Sequence, residues 1–268
     1  MRIVRFIDEA GQQRFGQNFR NGEATLLEGD LITGLVKTDK ICRVKKLLAP
    51  VMPPAIFGIG LNYHQHAQET GMEVPKYPVV FMKNPASIAN PEDPIFLHPS
   101  CMQPPEVDYE AELAVVVGQA AKDVSVADAL GCVLGYTAAN DVSARRWQGR
   151  RGSGQWVRGK SFDTFCPLGP ELVTADELQD PQDLRLTCEL NGQVMQDANT
   201  GDMIFPVAEL ISFLSTGATL LPGTVILTGT PSGVGFTRKP PVYLMSGDTV
   251  EVTLEGIGML SNSVELYE

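Results

Sequence analysis

The chain has 268 residues, 21 of them basic and 32 acidic, for a net charge of −11. That length is enough for one large domain, or one domain with a small appendage, and the acidic balance excludes nucleic acid and anionic membrane surfaces as main partners. Five scattered cysteines with no CxxC pair exclude a zinc signature and point to a reducing compartment. No apolar run reaches the length of a membrane span, and Asp8 and Glu9 fall where a signal peptide would need its apolar core. A soluble, cytoplasmic protein is therefore expected.

Residues 1–48 alternate apolar and polar positions, broken by Gly11, Asn21-Gly22 and Gly29-Asp30, which predicts a small N-terminal β domain of hairpins. Ala49-Pro50 and Pro53-Pro54 make a rigid connector and set the boundary of a second domain over 53–268. This domain opens on a short buried strand, Ala55–Gly60. Asn62 then reads as the N-cap of a helix on which His66 and Glu69 are neighbours at i,i+3, so that the carboxylate orients the imidazole. Thr70-Gly71 and Val74–Pro78 make an irregular segment suited to a lid. Val79–Met82 is a further strand, and His98, just before Pro99, reads as a loop residue.

The stretch 106–141 organises the rest. Its first run, Glu106–Gly118, reads as one strand because β-branched residues fill it. Alternation puts Asp108, Glu110 and Glu112 on one face. Unpaired carboxylates crowded together are costly to bury, and a cation among them resolves the cost. Same-face residues lie roughly 6–7 Å apart at Cα, so two carboxylates reach one ion at about 2.1 Å each. Asp141, at the end of the next apolar run, is placed to be a third ligand.

Val142–Gln148 reads as one or two helical turns, and 149–160 as a Gly/Arg-rich loop. Six basic and no acidic residues lie between Val142 and Phe162, a run that suits capture of a small carboxylate substrate beside the acidic face. Asn191-Gly192 marks a hairpin, and Pro206–Ser215 an amphipathic helix with proline in its first turn. The strand Thr224–Thr228 runs into Gly229–Gly235, a turn whose backbone N–H groups, beginning with Gly229, are suited to an anion. It lacks the Lys and Ser/Thr of a P-loop, so nucleotide binding is not expected. Segments 247–252 and 256–264 read as closing strands.

Five motifs together resemble the fumarylacetoacetate hydrolase superfamily over about residues 55–265. They are Gly60–Glu69, Val107–Glu112, Asn140–Arg145, Gly159–Thr164 and Leu227–Gly235; Phe162–Gly169 and Arg238–Pro241 look nearest to its domain-containing protein 2 branch. The resemblance implies an α+β, mostly β fold, a mixed β-sandwich roll, assembled as a homodimer. It implies Mg²⁺ or Mn²⁺ held by Glu110, Glu112 and Asp141, substrate contacts from Arg145, Gln148, Lys160 and Thr230, and a water-activating His66–Glu69 pair on a lid. One departure is Arg146, where many members carry an acidic residue.

All-oxygen ligands suit a hard cation with open positions for a 2-oxo acid. Such an ion and Lys160 would stabilise an enolate, the species shared by hydrolysis, decarboxylation and tautomerisation. The expected activity is hydrolysis of acylpyruvate-like 1,3-diketo acids, with oxaloacetate tautomerisation or decarboxylation on the same site as the alternative.

Overall fold

The computed structural model describes residues 1–178 and 180–267. Four strands open the chain: β1 (Arg2–Asp8), β2 (Gln13–Arg20), β3 (Glu23–Asp30) and β4 (Gly34–Leu48). The turn between β2 and β3 places Asn21 and Gly22 both at positive φ, as a two-residue hairpin loop requires. After them come β5 (Ile56–Gly60), α1 (His64–Thr70), β6 (Val79–Lys83), and the short strands β7 (Ile88–Ala89), β8 (Ile95–Leu97) and β9 (Val107–Asp108). The middle of the chain holds β10 (Ala111–Val117), α2 (Val126–Ala129), β11 (Val133–Asn140), β12 (Ser143–Ala144), α3 (Arg145–Gln148), α4 (Trp156–Lys160) and β13 (Cys166–Thr174). The last third adds β14 (Arg185–Leu190), β15 (Gln193–Asn199), α5 (Val207–Ser215), β16 (Val225–Leu227), β17 (Thr249–Leu254) and β18 (Gly258–Leu266).

Two large mixed sheets result. The larger has eleven strands, with the path β2-β3-β4-β1-β13-β11-β10-β16-β5-β6 and β7 beside β13; the smaller has five, in the order β15-β14-β17-β18-β8. The sheets pack face to face through alternate residues, as pleating demands. Leu113, Val115 and Val117 of β10 meet Leu186, Val252 and Leu260 in the principal core, while Ala114 and Val116 turn to the opposite side with Leu168, Leu172, Ile3 and Leu27. All seven residues of β10 are buried, so it lies at the centre with apolar residues on both faces. The N-terminal strands extend the larger sheet by β1 pairing with β13. Among the described residues, no helix is long and apolar enough to cross a membrane.

Three local expectations change. The run 106–117 is not one strand. β9 pairs with β12, with Asp108 opposite Ser143, whereas β10 pairs with β11. Between them the N–H of Glu110 donates to Asn140 Oδ1, and the N–H of Asp141 to the Glu110 carbonyl, so side-chain and loop bonds replace the ladder and reset the alternation. Second, the Gly/Arg-rich segment ends in a helix, α4. Gly159 is accommodated there because a Cβ would meet the Ala144 carbonyl oxygen at 2.9 Å. Third, Tyr63 rather than Asn62 occupies the N-cap position of α1. The buried Asn62 amide instead donates to the Phe205 and Thr228 carbonyls and accepts from the N–H of Phe205, tying the start of α1 to the end of β16.

Candidate active site

Because β10 and β11 run antiparallel with Ala111 opposite Asn140, residues flanking that pair come together. Glu110 precedes β10, Glu112 lies within it, and Asp141 follows β11. Their carboxylate atoms lie within 4.8 Å of one another, and all three residues are buried. Asp108 is not part of this group. The reset at Tyr109–Glu110 turns it to a separate cluster, where it accepts the N–H groups of Gly235 at 2.8 Å and Phe236 at 3.0 Å and holds Arg145 Nε at 2.8 Å.

Three cations surround the triad. Lys160, at the end of α4, donates to Glu110 Oε2 and to Ser143 Oγ, each at 2.7 Å, and to Asp141 Oδ2. Arg145 Nη1 reaches Glu110 Oε1 at 2.5 Å and Gln148 Oε1 at 3.1 Å, and its guanidinium lies 4.4 Å from the centre of the Phe236 ring. Lys83, at the end of β6, holds Asp141 Oδ1 at 2.5 Å.

The electrostatics separate the carboxylates. Burial alone would raise the Glu110 carboxyl, but Lys160 and Arg145 outweigh it and bring it down to about 2. Glu112 is pushed well above the ordinary carboxylate range by burial and by the charges of Asp141 and Glu110. Its one strong partner is the N–H of Gly229, at 2.7 Å. Ionised Glu112 is thus disfavoured until a cation compensates it, and a divalent ion at the triad would supply that charge. Three buried carboxylates are the donor set that a hard divalent ion takes, so the residues fit such an ion.

His66 and Glu69 do meet on α1. His66 Nδ1 lies 3.1 Å from Glu69 Oε2, while Glu69 Oε1 accepts from Gly233 N at 3.0 Å and Thr237 Oγ1 at 2.9 Å. Partial burial would raise the Glu69 carboxyl, yet His66 and these donors together bring it below its ordinary value. A cavity of about 320 Å³ collects His66, Glu110, Arg145, Gln148, Lys160 and Thr230 in one lining, closed by Leu61, Met72, Phe81, Trp156 and Phe236. Glu69 stands behind His66 outside this lining.

The turn 229–235 does bind anions, but they are the protein's own. Its N–H groups at Gly229, Gly233 and Gly235 go to Glu112, Glu69 and Asp108 respectively. Gly229, expected to offer its N–H to substrate, has therefore already spent that donor on Glu112. Arg146, the family departure, faces away from the cavity and pairs with Glu106 Oε2 at 3.2 Å. Sequence reasoning missed Lys83, Ser143 and Gln196. Gln196 Oε1 takes the N–H of Ala111 and its amide holds Thr230 Oγ1 at 2.8 Å. The only signal for Lys83 was parity with Phe81, the other inward residue of β6.

Residues 55–265 match the family model described as fumarylacetoacetate (FAA) hydrolase C-terminal. The human protein named "Oxaloacetate tautomerase FAHD2A, mitochondrial" is 49% identical over 218 residues, covering 81% of this chain and 68% of that protein. A Dictyostelium discoideum protein, "Fumarylacetoacetate hydrolase domain-containing protein 2 homolog", is 48% identical over 233 residues, covering 84% and 74% of the two chains. Among solved structures, the 5-carboxymethyl-2-hydroxymuconate delta-isomerase of Mycobacterium smegmatis superposes with a TM-score of 0.86 at 39% identity, covering 100% of both chains. The 2-hydroxyhepta-2,4-diene-1,7-dioate isomerase of Mycobacterium marinum gives 0.84 at 38%, covering 99% and 98%.

Proposed function

Since the chain belongs to the fumarylacetoacetate hydrolase family by its matching C-terminal domain, we propose that it is a Mg²⁺- or Mn²⁺-dependent tautomerase interconverting the keto and enol forms of oxaloacetate-type 2-oxo acids. The observation that carries this reading is the single cavity that gathers a buried carboxylate of the triad, a buried lysine and a histidine backed by a glutamate. The names of the human and mycobacterial relatives, a tautomerase and two isomerases, favour proton transfer over the C–C hydrolysis expected from sequence.

Glu110, Glu112 and Asp141 would hold the ion, which when bound supplies an electrophile for the substrate carboxylate and its neighbouring carbonyl. The three donors of Lys160 are taken by Glu110, Asp141 and Ser143. It therefore acts on developing enolate charge chiefly through its field, at the wall of a cavity where that field is poorly screened. Arg145, fixed by Asp108 and Glu110, and Gln148, fixed by Arg145, orient the far end of the substrate together with Thr230. His66 has Nδ1 engaged by Glu69, so Nε2 is the nitrogen that would take the proton from C3 of the keto acid and pass it to the C2 oxygen to give the enol, the reverse path restoring the keto form.

One observation suits a second reading equally, hydrolysis of acylpyruvate-like 1,3-diketo acids. The carboxyl of Glu69 is held below its ordinary value and stays ionised to polarise His66, which suits activation of water as well as proton relay. Both rates, oxaloacetate enol–keto conversion and acylpyruvate cleavage, are to be measured on protein saturated with Mg²⁺. Tautomerisation is expected to be faster, and His66→Ala to slow it by about 10²–10⁴ with Mg²⁺ still bound. Faster acylpyruvate cleavage in the wild type replaces this reading with the hydrolase.

The homodimer implied by the family resemblance is part of the proposal and is tested by sedimentation. The human relative is mitochondrial by name. For this chain the cytoplasmic expectation is retained only as a reducing compartment, which its five free cysteines suit.

A further inference from the structure

We propose that Lys83 is a positioning residue that sets the net charge of the metal-loaded site, and through it the balance between holding the cation and holding the anionic substrate. The inference rests on the divalent-ion and 2-oxo acid reading above and extends it to a residue outside the cavity lining.

Lys83 belongs to β6, the last strand on one side of the larger sheet, but its side chain points inward and is fully buried. Nζ meets Asp141 Oδ1 at 2.5 Å and the Val142 carbonyl at 3.4 Å. Asp141 thus gives one oxygen to Lys83 and the other to Lys160. Burying an ammonium carries a large desolvation cost, and an apolar side chain of similar volume would fill the space without it. Lys160 and a metal ion already suffice to balance Asp141, so packing and pairing do not by themselves require a second lysine.

The charge count gives it a purpose. Four carboxylates, of Asp108, Glu110, Glu112 and Asp141, face three cations, of Arg145, Lys160 and Lys83. With a divalent ion bound and all four carboxylates ionised, the cluster is one unit positive. A 2-oxo acid brings a carboxylate, and its enolate builds further negative charge beside it. Without Lys83 the loaded cluster would be neutral. Like charge repels the metal and opposite charge attracts the substrate, so removing Lys83 should move the two affinities in opposite directions. A lysine that served only to brace Asp141 would, when removed, weaken both.

The test uses Lys83→Gln, whose amide can still donate to Asp141, and Lys83→Met, which cannot. Calorimetry first titrates Mg²⁺ into metal-stripped protein. It then titrates oxalate, a planar dianion resembling the enolate of a 2-oxo acid, into Mg²⁺-saturated protein. For Lys83→Gln the expected result is Mg²⁺ binding at least as tight as wild type and oxalate binding about tenfold weaker, the effect of losing one poorly screened opposite charge. Weakening of both ligands, or unchanged oxalate affinity, overturns the inference. Failure of both variants to fold also overturns it, because Lys83 would then be a requirement of the core. If wild type binds neither Mg²⁺ nor oxalate, the metal-dependent reading of the site itself has failed, which is a separate result.

Discussion

Glu69 shows how far single residues divide the labour of the site. Its carboxylate meets His66 on one oxygen and two donors of the 233–237 segment on the other, and these hold its proton affinity below that of a free glutamate. An acid whose folded value is depressed contributes stability above its unfolded value and loses it as pH falls through the folded one. Glu69→Gln should therefore be less stable than wild type at neutral pH, with the gap in melting temperature closing as pH falls below about 4. A gap that persists unchanged into acid would show that the amide disturbs packing rather than charge. At this scale the sequence was most informative where spacing alone decides contact. His66 and Glu69 at i,i+3 met as expected, while Glu110, Glu112 and Asp141, the set implied by the family resemblance, converged. Asp108 was misplaced, because alternation along a strand holds only while the strand is unbroken. Nothing in Glu106–Glu112 announces that Asn140, distant in sequence, takes the N–H of Glu110.

The elements were legible where one periodicity ran without interruption. The hairpin at Asn191-Gly192 and the helix Val207–Ser215 fall where turn chemistry and amphipathic spacing put them. The helix Trp156–Lys160 did not, since glycines surround it and its register is set by close packing of Gly159 on Ala144 and Trp147. Gly229 joins strand β16 to the turn that carries three of the site's backbone donors. It stands at φ +100°, and a Cβ there would lie 2.7 Å from that of Asn62. Gly229→Ala should pull its N–H away from Glu112, lowering Mg²⁺ affinity measured by calorimetry together with the melting temperature. Unchanged Mg²⁺ affinity would mean that Glu112 does not need this donor.

In the whole molecule, the site sits at one end of the antiparallel β10–β11 pair, among strands buried on both faces. Composition and motif reached this architecture only through family resemblance, because the order of strands in an eleven-stranded sheet depends on pairings far apart in sequence. The buried carboxylate triad makes a global prediction. An ion that binds only the folded chain should stabilise it by about 2.7 kcal/mol at a concentration a hundred times its dissociation constant. Thermal unfolding with and without Mg²⁺ should show that increase, and chelation should abolish it. A melting temperature indifferent to Mg²⁺ and Mn²⁺ would remove the metal from the account.

The turn 229–235 carries a further consequence. Its three amides grip Glu112, proposed to hold the ion; Glu69, which meets His66; and Asp108, which anchors Arg145. In the proposed mechanism, cation, proton and substrate carboxylate would all be referenced to one short piece of backbone, as three instruments are tuned to a single fork. A substitution that shifts this piece should detune all three together, whereas Met72, Phe81 and Trp156 border the same cavity from other parts of the chain. Substitutions along those walls should therefore change which substrate fits, while substitutions in the turn change the chemistry itself.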